Sequence, residues 1–571
     1  MEHVRRLFRR LFDLIMHPIV LVVTSLVGIA AAYGAENALL TTPFAVSIAA
    51  VLAALLFLVS RRLAFSIYVA WMIICIETIV SAIKYKMRGF SFHFYDAVFV
   101  ATDKEIYSFL FGSYLYLILP VLIAFALCIA FGFALFRMDS RSPRGVSSRL
   151  AVLGAAIVLM PMTFPAEAAH ERHLYYLRGR HISAFFVSLL DLQNYFTQTD
   201  FQKRLAAMPP QEPFADTIDC GDLANQPDVF VVLAETGIDL ADFPQIAGEG
   251  DFIHRFSPNV GTIHPLGVEV FGAGTWISNL SLLTGLSATD FGWRSPYLTI
   301  TLKDRIRGSL PEVFKRCGYR TATIMPLEYS SANEGPFLNS IGFDDIYDYK
   351  AIGAPTYHMR DDVYFAAAEK LIAEHRKTDE RPLFLAIQTM FAHSGYEERL
   401  EPSVTVAGEP FNADPELAEY ARRLAISRQD FDAFLEKRKT DGRGAVVMEF
   451  GDHQPYVTKP FIDAMEGPDA LGDKNSFAYQ TYYTVTAFNH ALKENVAPQG
   501  RTDIGYLGAT FLDVAGLPSS PMMRDLVRLR ELCEGKFYLC ADRDAVDVHL
   551  RRRIDSGMLD IIDGSQSAPS S

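Results

Sequence analysis

Side chains that bind metals or move protons recur in this chain at one kind of position. Glu235 follows the run Val231-Val232-Leu233-Ala234. His393 follows Thr389-Met390-Phe391-Ala392, and Asp452 and His453 follow Val446-Val447-Met448-Glu449-Phe450-Gly451. Each run reads as a strand, and ligands of α/β folds bind beyond the carboxyl ends of their strands. An Asp-His pair alone would read as an ordinary loop, but the repeated placement points to a site. A fourth segment, Phe271-Gly272-Ala273-Gly274-Thr275-Trp276-Ile277-Ser278, sets a hydroxyl directly after two glycines and before an apolar run able to form a helix. A Gly-rich approach to a helix N-terminus presents N–H groups and a positive dipole end to an anion. Thr275 therefore suits a nucleophile attacking phosphorus, although taken singly the segment reads first as a helix N-cap threonine.

As a set, Glu235, Thr275, Asp452 and His453 read as one divalent metal site. Two carboxylates and an imidazole suit Mn²⁺ or Zn²⁺, with the threonine oxygen as fourth ligand. A metal there would lower the hydroxyl's pKa and neutralise charge on a transferred phosphoryl group.

The elements that must carry these residues alternate in type. Strands are expected at Val229–Ala234, Thr321–Met325, Leu383–Met390 and Ala445–Phe450, with helices at Leu302–Cys317, Asp362–His375 and Glu416–Arg438. Gly318 stands where a C-terminal cap glycine belongs. This alternation predicts an α/β domain with a mostly parallel sheet. Cys533 and Cys540 are close enough to bridge in an oxidising compartment, or remain two reduced thiols. Six cysteines over 571 residues form no disulfide framework, and no CxxC pair exists.

The N-terminal third is different. Half of all residues are hydrophobic and the mean hydropathy is +0.15. Five stretches are apolar enough to cross a bilayer, which takes about 20 helical residues: Leu14–Tyr33, Thr42–Ser60, Leu63–Ile83, Ser113–Phe136 and Leu150–Ala166. The tail Pro165-Ala166-Glu167-Ala168-Ala169 also has the look of a signal-cleavage site. Arg5, Arg6, Arg9 and Arg10, then Arg61 and Arg62, then Arg137, Arg141, Arg144 and Arg149 fall on one side, which the positive-inside rule makes cytoplasmic. Five crossings place everything after residue 170 outside. Glu77, within the third span, reads as functional or as an interfacial, snorkelling residue. Arg88–Phe111 looks interfacial or re-entrant, and His181–Phe201 forms an amphipathic juxtamembrane helix or packs on the anchor.

Charge follows the same division. Through residue 205 there are 19 basic and 12 acidic residues, against 34 and 54 in the remainder. The acidic soluble part argues against nucleic-acid binding, which wants a basic face. Four regions result: 1–169, a five-helix transmembrane domain; 170–210, a juxtamembrane linker; 211–530, the catalytic domain; and 531–571, a C-terminal extension with a disordered Ser-rich tail.

The ordered set Asp228-Val229-Phe230-Val231-Val232-Leu233-Ala234-Glu235, Gly274-Thr275, Ala392-His393 and Phe450-Gly451-Asp452-His453-Gln454-Pro455 resembles the membrane sulfatase-like proteins of the lipoteichoic acid synthase type, within the alkaline phosphatase superfamily. The resemblance spans about residues 10–530. It implies a five-helix anchor carrying an extracytoplasmic α/β alkaline phosphatase/sulfatase-like domain. It also implies that Glu235, Thr275, Asp452 and His453 hold one divalent metal, manganese above zinc or magnesium, with Thr275 as nucleophile. Arg360 and His393 would contact the phosphate or polar head of the substrate. The chain departs from many Gram-positive members in lacking an acidic residue within Trp276–Leu280, and it has no Cys/Ser-x-Pro-x-Arg segment of the formylglycine sulfatases.

The resulting expectation is a phosphoglycerol transferase on the outer face of a bacterial cytoplasmic membrane, facing a periplasm. Phosphatidylglycerol would be the donor and a glycan or glycolipid hydroxyl the acceptor. Phosphoethanolamine transfer from phosphatidylethanolamine is the nearest alternative. A catalytically silent membrane protein that binds a glycan or partner is the alternative of another class.

Overall fold

The computed structural model describes residues 17–88, 91–97, 115–143, 145–170, 175–176, 178–191, 199–222, 225–243, 261–493 and 500–561. The chain divides into two compact units, Met1–Phe196 and Thr197–Ser571. The boundary falls inside the stretch read as a linker.

Apolar helices dominate the first unit: α1 (His17–Glu36), α2 (Thr42–Ser60), α3 (Leu63–Arg88), α4 (Leu115–Met138) and α5 (Val146–Met162). They fall on the five predicted stretches. Three, at Pro18–Glu36, Thr42–Ser60 and Leu63–Tyr85, are long and apolar enough to cross a membrane; the apolar parts of α4 and α5, Leu122–Met138 and Val146–Met162, are shorter. Close packing decides residue choice here. A Cβ on Gly28 would lie 2.3 Å from the Trp71 ring, so glycine lets α1 meet α3. Glu77 departs from the interfacial reading: its side chain is buried and neither carboxylate oxygen has a hydrogen-bond partner.

The described part of the expected re-entrant segment packs on the juxtamembrane stretch and, through Phe92 N–H to Ser81 Oγ (3.0 Å), on α3. Ser91 N–H donates to the Tyr176 carbonyl (2.9 Å), Phe94 N–H to Ser188 Oγ (2.9 Å), and Phe92 stacks on Phe185. The rest of that segment, through Phe111, lies outside the described residues. The expected helix over His181–Phe201 is broken. Ile182–Ser188 is helical and Leu189–Asp191 tightens to a 3₁₀ turn, while a separate helix, Asp200–Ala207, starts in the second unit at the Thr199/Gln202 capping box. A new N-cap with its own box gives Asp200–Ala207 an independent start.

The second unit is built on one eight-stranded sheet: β1 (Asp228–Ala234), β2 (Ile263–Gly267), β3 (Arg320–Ile324), β4 (Asp345–Tyr347), β5 (Leu383–Gln388), β6 (Ala445–Gly451), β7 (Gln480–Phe488) and β8 (Thr502–Asp503). Their order is β4-β3-β5-β1-β6-β7-β2-β8. The four predicted strands form the parallel centre. Antiparallel β7 extends it, pairing both β6 and β2, so the sheet is mixed. Central strands are buried on both faces, as parallel strands must be. On one face Phe230, Val232, Leu385, Ile387 and Val447 pack beneath Phe365, Phe431 and Phe434 of helices α8 (Asp361–Thr378) and α9 (Pro415–Thr440). On the other, Phe384 stacks on Phe314 of α7 (Leu310–Arg316) at 4.4 Å. The expected helix Leu302–Cys317 is thus only half realised: the Ser309 side chain caps Glu312 N–H and Pro311 sits in the first turn, so the helix starts there.

Two disulfides fasten this unit, Cys533–Cys540 and Cys220–Cys317. Four of the six cysteines are therefore bridged, where the sequence pointed only to the first pair. Residues 521–532 and 543–555 form helices α10 and α11, and His549 of α11 donates from Nδ1 to Asp525 of α10 (2.7 Å). His549 is fully buried. Burial outweighs the Asp525 charge and holds the imidazole at about 4, below its ordinary 6.5. The unfolded chain then takes up a proton first as pH falls. Folding stability should therefore drop between pH 6.5 and pH 4 by about 3 kcal/mol from this group. Denaturant unfolding of the solubilised protein across that window should show the slope, and His549→Gln should flatten it.

Candidate active site

Register assembles the site. β1 lies between β5 and β6, both parallel to it, with Leu233 opposite Gln388 on one side and Phe450 on the other. The three strands therefore end at one level, and Glu235, the Thr389–His393 turn and Asp452-His453 leave the sheet side by side.

Thr275, the expected nucleophile, is the first residue of α6 (Thr275–Thr284). Its approach needs glycine twice. Gly272 (φ 74°) and Gly274 (φ 106°) take left-handed conformations, and a Cβ on Gly272 would lie 2.5 Å from the Tyr456 ring. Thr275 thus sits at the N-terminus of a ten-residue helix, where backbone N–H groups and the dipole favour an anion. Its Oγ1 donates to Glu235 Oε2 at 3.2 Å.

Glu235, Asp452 and His453 are buried, and one ligating atom from each lies within 4.8 Å of the others. His453 Nε2 is 3.3 Å from Asp452 Oδ2 and 3.9 Å from Glu235 Oε1. The other ring nitrogen, Nδ1, faces the Gln454 carbonyl at 3.0 Å. A carbonyl only accepts, so Nδ1 carries the proton and Nε2 presents a lone pair. Glu235 Oε1 and Asp452 Oδ2 are buried with no hydrogen-bond partner. Burial pushes the Glu235 carboxyl well above its ordinary range, and the neighbouring Asp452 pushes the same way. Two unpartnered carboxylate oxygens and an imidazole lone pair converging on one point are a donor set for a divalent cation. The residues present fit the metal.

Three hydroxyls that sequence reasoning passed over lace the strand exits together. Thr389 Oγ1 accepts from Glu235 N–H (3.1 Å) and donates to the Leu233 carbonyl (2.9 Å). Ser278, one turn into α6, donates to the Asp452 carbonyl (2.6 Å). Thr236 N–H donates to Asp452 Oδ1 (2.8 Å), while Thr236 Oγ1 donates to the Ala392 carbonyl (2.7 Å). Only their adjacency to chemistry-bearing residues marked them in the sequence.

His393 is half-buried at the β5 exit. Its Nδ1 faces the Ser394 carbonyl (3.2 Å) and its ring lies edge-on to His358 at 5.8 Å. Burial, then the nearby His453, holds its pKa below the ordinary value. Arg423 of α9, fully buried, donates to the His393 carbonyl (2.9 Å) and the Gly395 carbonyl (2.9 Å). Arg360 is placed differently from the phosphate contact expected of it. Its guanidinium forms a two-point pair with Asp430 of α9, Nε–Oδ2 2.8 Å and Nη2–Oδ1 2.6 Å. The adjoining Asp361 is the residue tied to the His393 turn, its Oδ1 accepting from Met390 N–H (3.0 Å) and Phe391 N–H (2.9 Å).

Residues 270–517 match the family described as Sulfatase. No curated protein matches the chain by sequence. Among solved structures, the chain is similar to the integral membrane protein lipooligosaccharide phosphoethanolamine transferase A (EptA) of Neisseria meningitidis, with 13% identity and TM-score 0.51 over 85% of this chain and 97% of that one. It is also similar to the Streptococcus pyogenes phosphoglycerol transferase GacH, solved with sn-glycerol-1-phosphate: 16% identity, TM-score 0.45, 65% of this chain and 91% of that. For the lipoteichoic acid synthase LtaP of Listeria monocytogenes the values are 17% identity, TM-score 0.40, 55% and 77%. The matched segment lies within an α/β domain that is similar to the Sulfatase family, and apolar N-terminal helices accompany it in the same chain.

If the converging atoms hold a metal, Mn²⁺ should raise the thermal unfolding midpoint of the protein and bind at one ion per chain. Asp452→Asn and His453→Gln should lose the tight ion by elemental analysis, with the midpoint shift reduced to that of a chelated control.

Proposed function

We propose that the protein is a membrane-bound, metal-dependent phosphotransferase that moves phosphoglycerol from phosphatidylglycerol to a glycan or glycolipid hydroxyl. The observation that carries this reading is the convergence of Glu235 Oε1, Asp452 Oδ2 and His453 Nε2 beside a threonine hydroxyl at a helix N-terminus. Apolar helices in the same chain keep the enzyme at the bilayer that holds its donor. The disulfides favour an oxidising compartment, hence a domain on the periplasmic side.

Glu235, Asp452, His453 and Thr275 Oγ1 would hold the cation, Mn²⁺ by preference. When bound it supplies charge neutralisation on the phosphoryl oxygens and a lowered pKa for the threonine hydroxyl. The chain's own groups do the rest. Thr275 Oγ1 attacks phosphorus, and its proton leaves toward Glu235 Oε2, the oxygen it already faces. The bond to the glyceride oxygen breaks, diacylglycerol departs with a proton, and phosphoglycerol remains on Thr275. An acceptor hydroxyl then attacks the same phosphorus, gives up its proton, and frees the threonine. His393, standing at the β5 exit with Nδ1 turned to a carbonyl, enters as the imidazolium, gives its Nε2 proton to the leaving glyceride oxygen and regains one there from the acceptor hydroxyl, while Glu235 Oε2 returns the first proton to Thr275 Oγ1. N–H groups at the start of α6 hold the non-bridging oxygens. Arg360 would reach the substrate's phosphate or polar head only by exchanging Asp430 for it, a competition that makes it a selective contact.

The test is peptide mass spectrometry of the protein incubated with phosphatidylglycerol vesicles and Mn²⁺. A phosphoglycerol mass on the Thr275 peptide with diacylglycerol released is expected, and Thr275→Ala should show neither. An adduct from phosphatidylethanolamine alone would reassign the head group. No adduct and no diacylglycerol from either lipid would overturn the enzyme reading in favour of a binding protein.

A further inference from the structure

Thr236 is a β-branched residue held at φ 49°, in the left-handed region that such residues avoid. Strain of this kind persists where the surroundings over-determine it, and it gathers at functional sites. The surroundings here are specific. Each of the three polar groups of Thr236 is spent on a different element. Its N–H donates to Asp452 Oδ1 beyond β6 (2.8 Å), its Oγ1 donates to the Ala392 carbonyl beyond β5 (2.7 Å), and its carbonyl accepts from Tyr420 Oη of α9 (2.7 Å). The Ala392 carbonyl receives a second donor, Tyr396 Oη, at 2.8 Å. Space is as tight as the bonding: a Cβ on Gly451 would fall 2.0 Å from the Gly237 carbonyl oxygen, so the turn after β1 lies directly on the end of β6.

We infer that Thr236 is a positioning residue that sets the His393 turn against the Glu235–Asp452–His453 cluster through its Oγ1–Ala392 hydrogen bond. Its backbone N–H orients Asp452 so that Oδ1 is occupied and Oδ2 faces His453. Its side chain fixes the peptide immediately before His393. Only a hydroxyl or similar donor at this position makes the second link, whereas the first needs no side chain. The inference rests on the phosphotransferase reading for its catalytic consequence and on the hydrogen bonds alone for its structural one.

The side-chain link separates cleanly by substitution. Thr236→Val keeps the shape and the backbone N–H but loses the donor; Thr236→Ser keeps the donor. With the full-length chain in detergent, loaded with Mn²⁺ and given phosphatidylglycerol, the valine variant should lose about 10- to 100-fold in kcat, the usual cost of a lost supporting contact. KM and bound metal should stay within about twofold of the wild type, and serine should restore most of the rate. In the His393→Ala background the valine change should cost nothing more, because it acts through His393. Amide hydrogen exchange of residues 390–396 should quicken in the valine variant and not in the serine one, a readout that needs no substrate. Quickened exchange with no turnover by the wild type would uphold the placement and overturn the phosphatidylglycerol reading. A serine variant as impaired as valine, an undiminished loss in the His393→Ala background, or unchanged exchange would overturn the inference.

Discussion

Two carboxylates pressed together in the interior of a protein repel one another, and the second unit is organised around making that tolerable. Glu235 and Asp452 are both buried, and each has one oxygen satisfied by the fold: Glu235 Oε2 by the Thr275 hydroxyl, Asp452 Oδ1 by Thr236 N–H. The other two oxygens are without donors. A lone buried charge costs several kcal/mol, and two of one sign cost more than the sum unless a cation or proton stands between them. The fold leaves that place open toward His453 Nε2 and spends its own donors on the outer oxygens. Each proton or ion in the site is thus held partly by the repulsion it relieves.

Such an arrangement must be rigid, or the carboxylates would relax apart. Rigidity comes from the central strands, buried on both faces, and from the parallel pairing of β1 with β5 and β6 that ends all three at one level. α9 then reaches over the exits. Its Arg423 binds the carbonyls of the His393 turn and is neutralised by Glu419 one turn earlier, Nε–Oε1 2.8 Å. Tyr420, on the same helix, holds Thr236. A helix whose apolar side packs on the sheet core thereby delivers polar side chains to the site at its N-terminal half.

What the sequence made legible follows from what is local. The short runs of β-branched and apolar residues in β1, β3, β5 and β6 announce themselves, and with them the exits that carry Glu235, His393, Asp452 and His453. β7 reads Gln-Thr-Tyr-Tyr-Thr-Val-Thr-Ala-Phe, rich in the β-branched and aromatic residues of strands, a signal that a search for apolar runs overlooks because its threonines and tyrosines are polar; it pairs on both sides. β2 contains His264 and Pro265 and is a strand only because β7 and β8 flank it. Arg360 carries a charge suited to phosphate, but its partner Asp430 is 70 residues away. Thr236 offered no signal beyond its place after Glu235, since its hydroxyl joins two loops the chain places 156 residues apart.

The same distinction bears on how a displacement at phosphorus is catalysed. In-line attack is governed by positioning, and a shift of about 1 Å can cost on the order of a hundredfold. Ligands of the required types can be supplied by a few residues in sequence, but their relative placement cannot, because it is a property of hydrogen bonds between distant turns. Thr389, Ser278 and Thr236 are that placement: each joins one strand exit or the Thr275 helix to another. A domain that kept Glu235, Thr275, Asp452 and His453 but lost these hydroxyls would retain the metal's donor set while loosening the geometry around it. On the proposed reading, metal binding and transfer are separable properties of this site, the first written mainly in the ligands and the second in the residues between them.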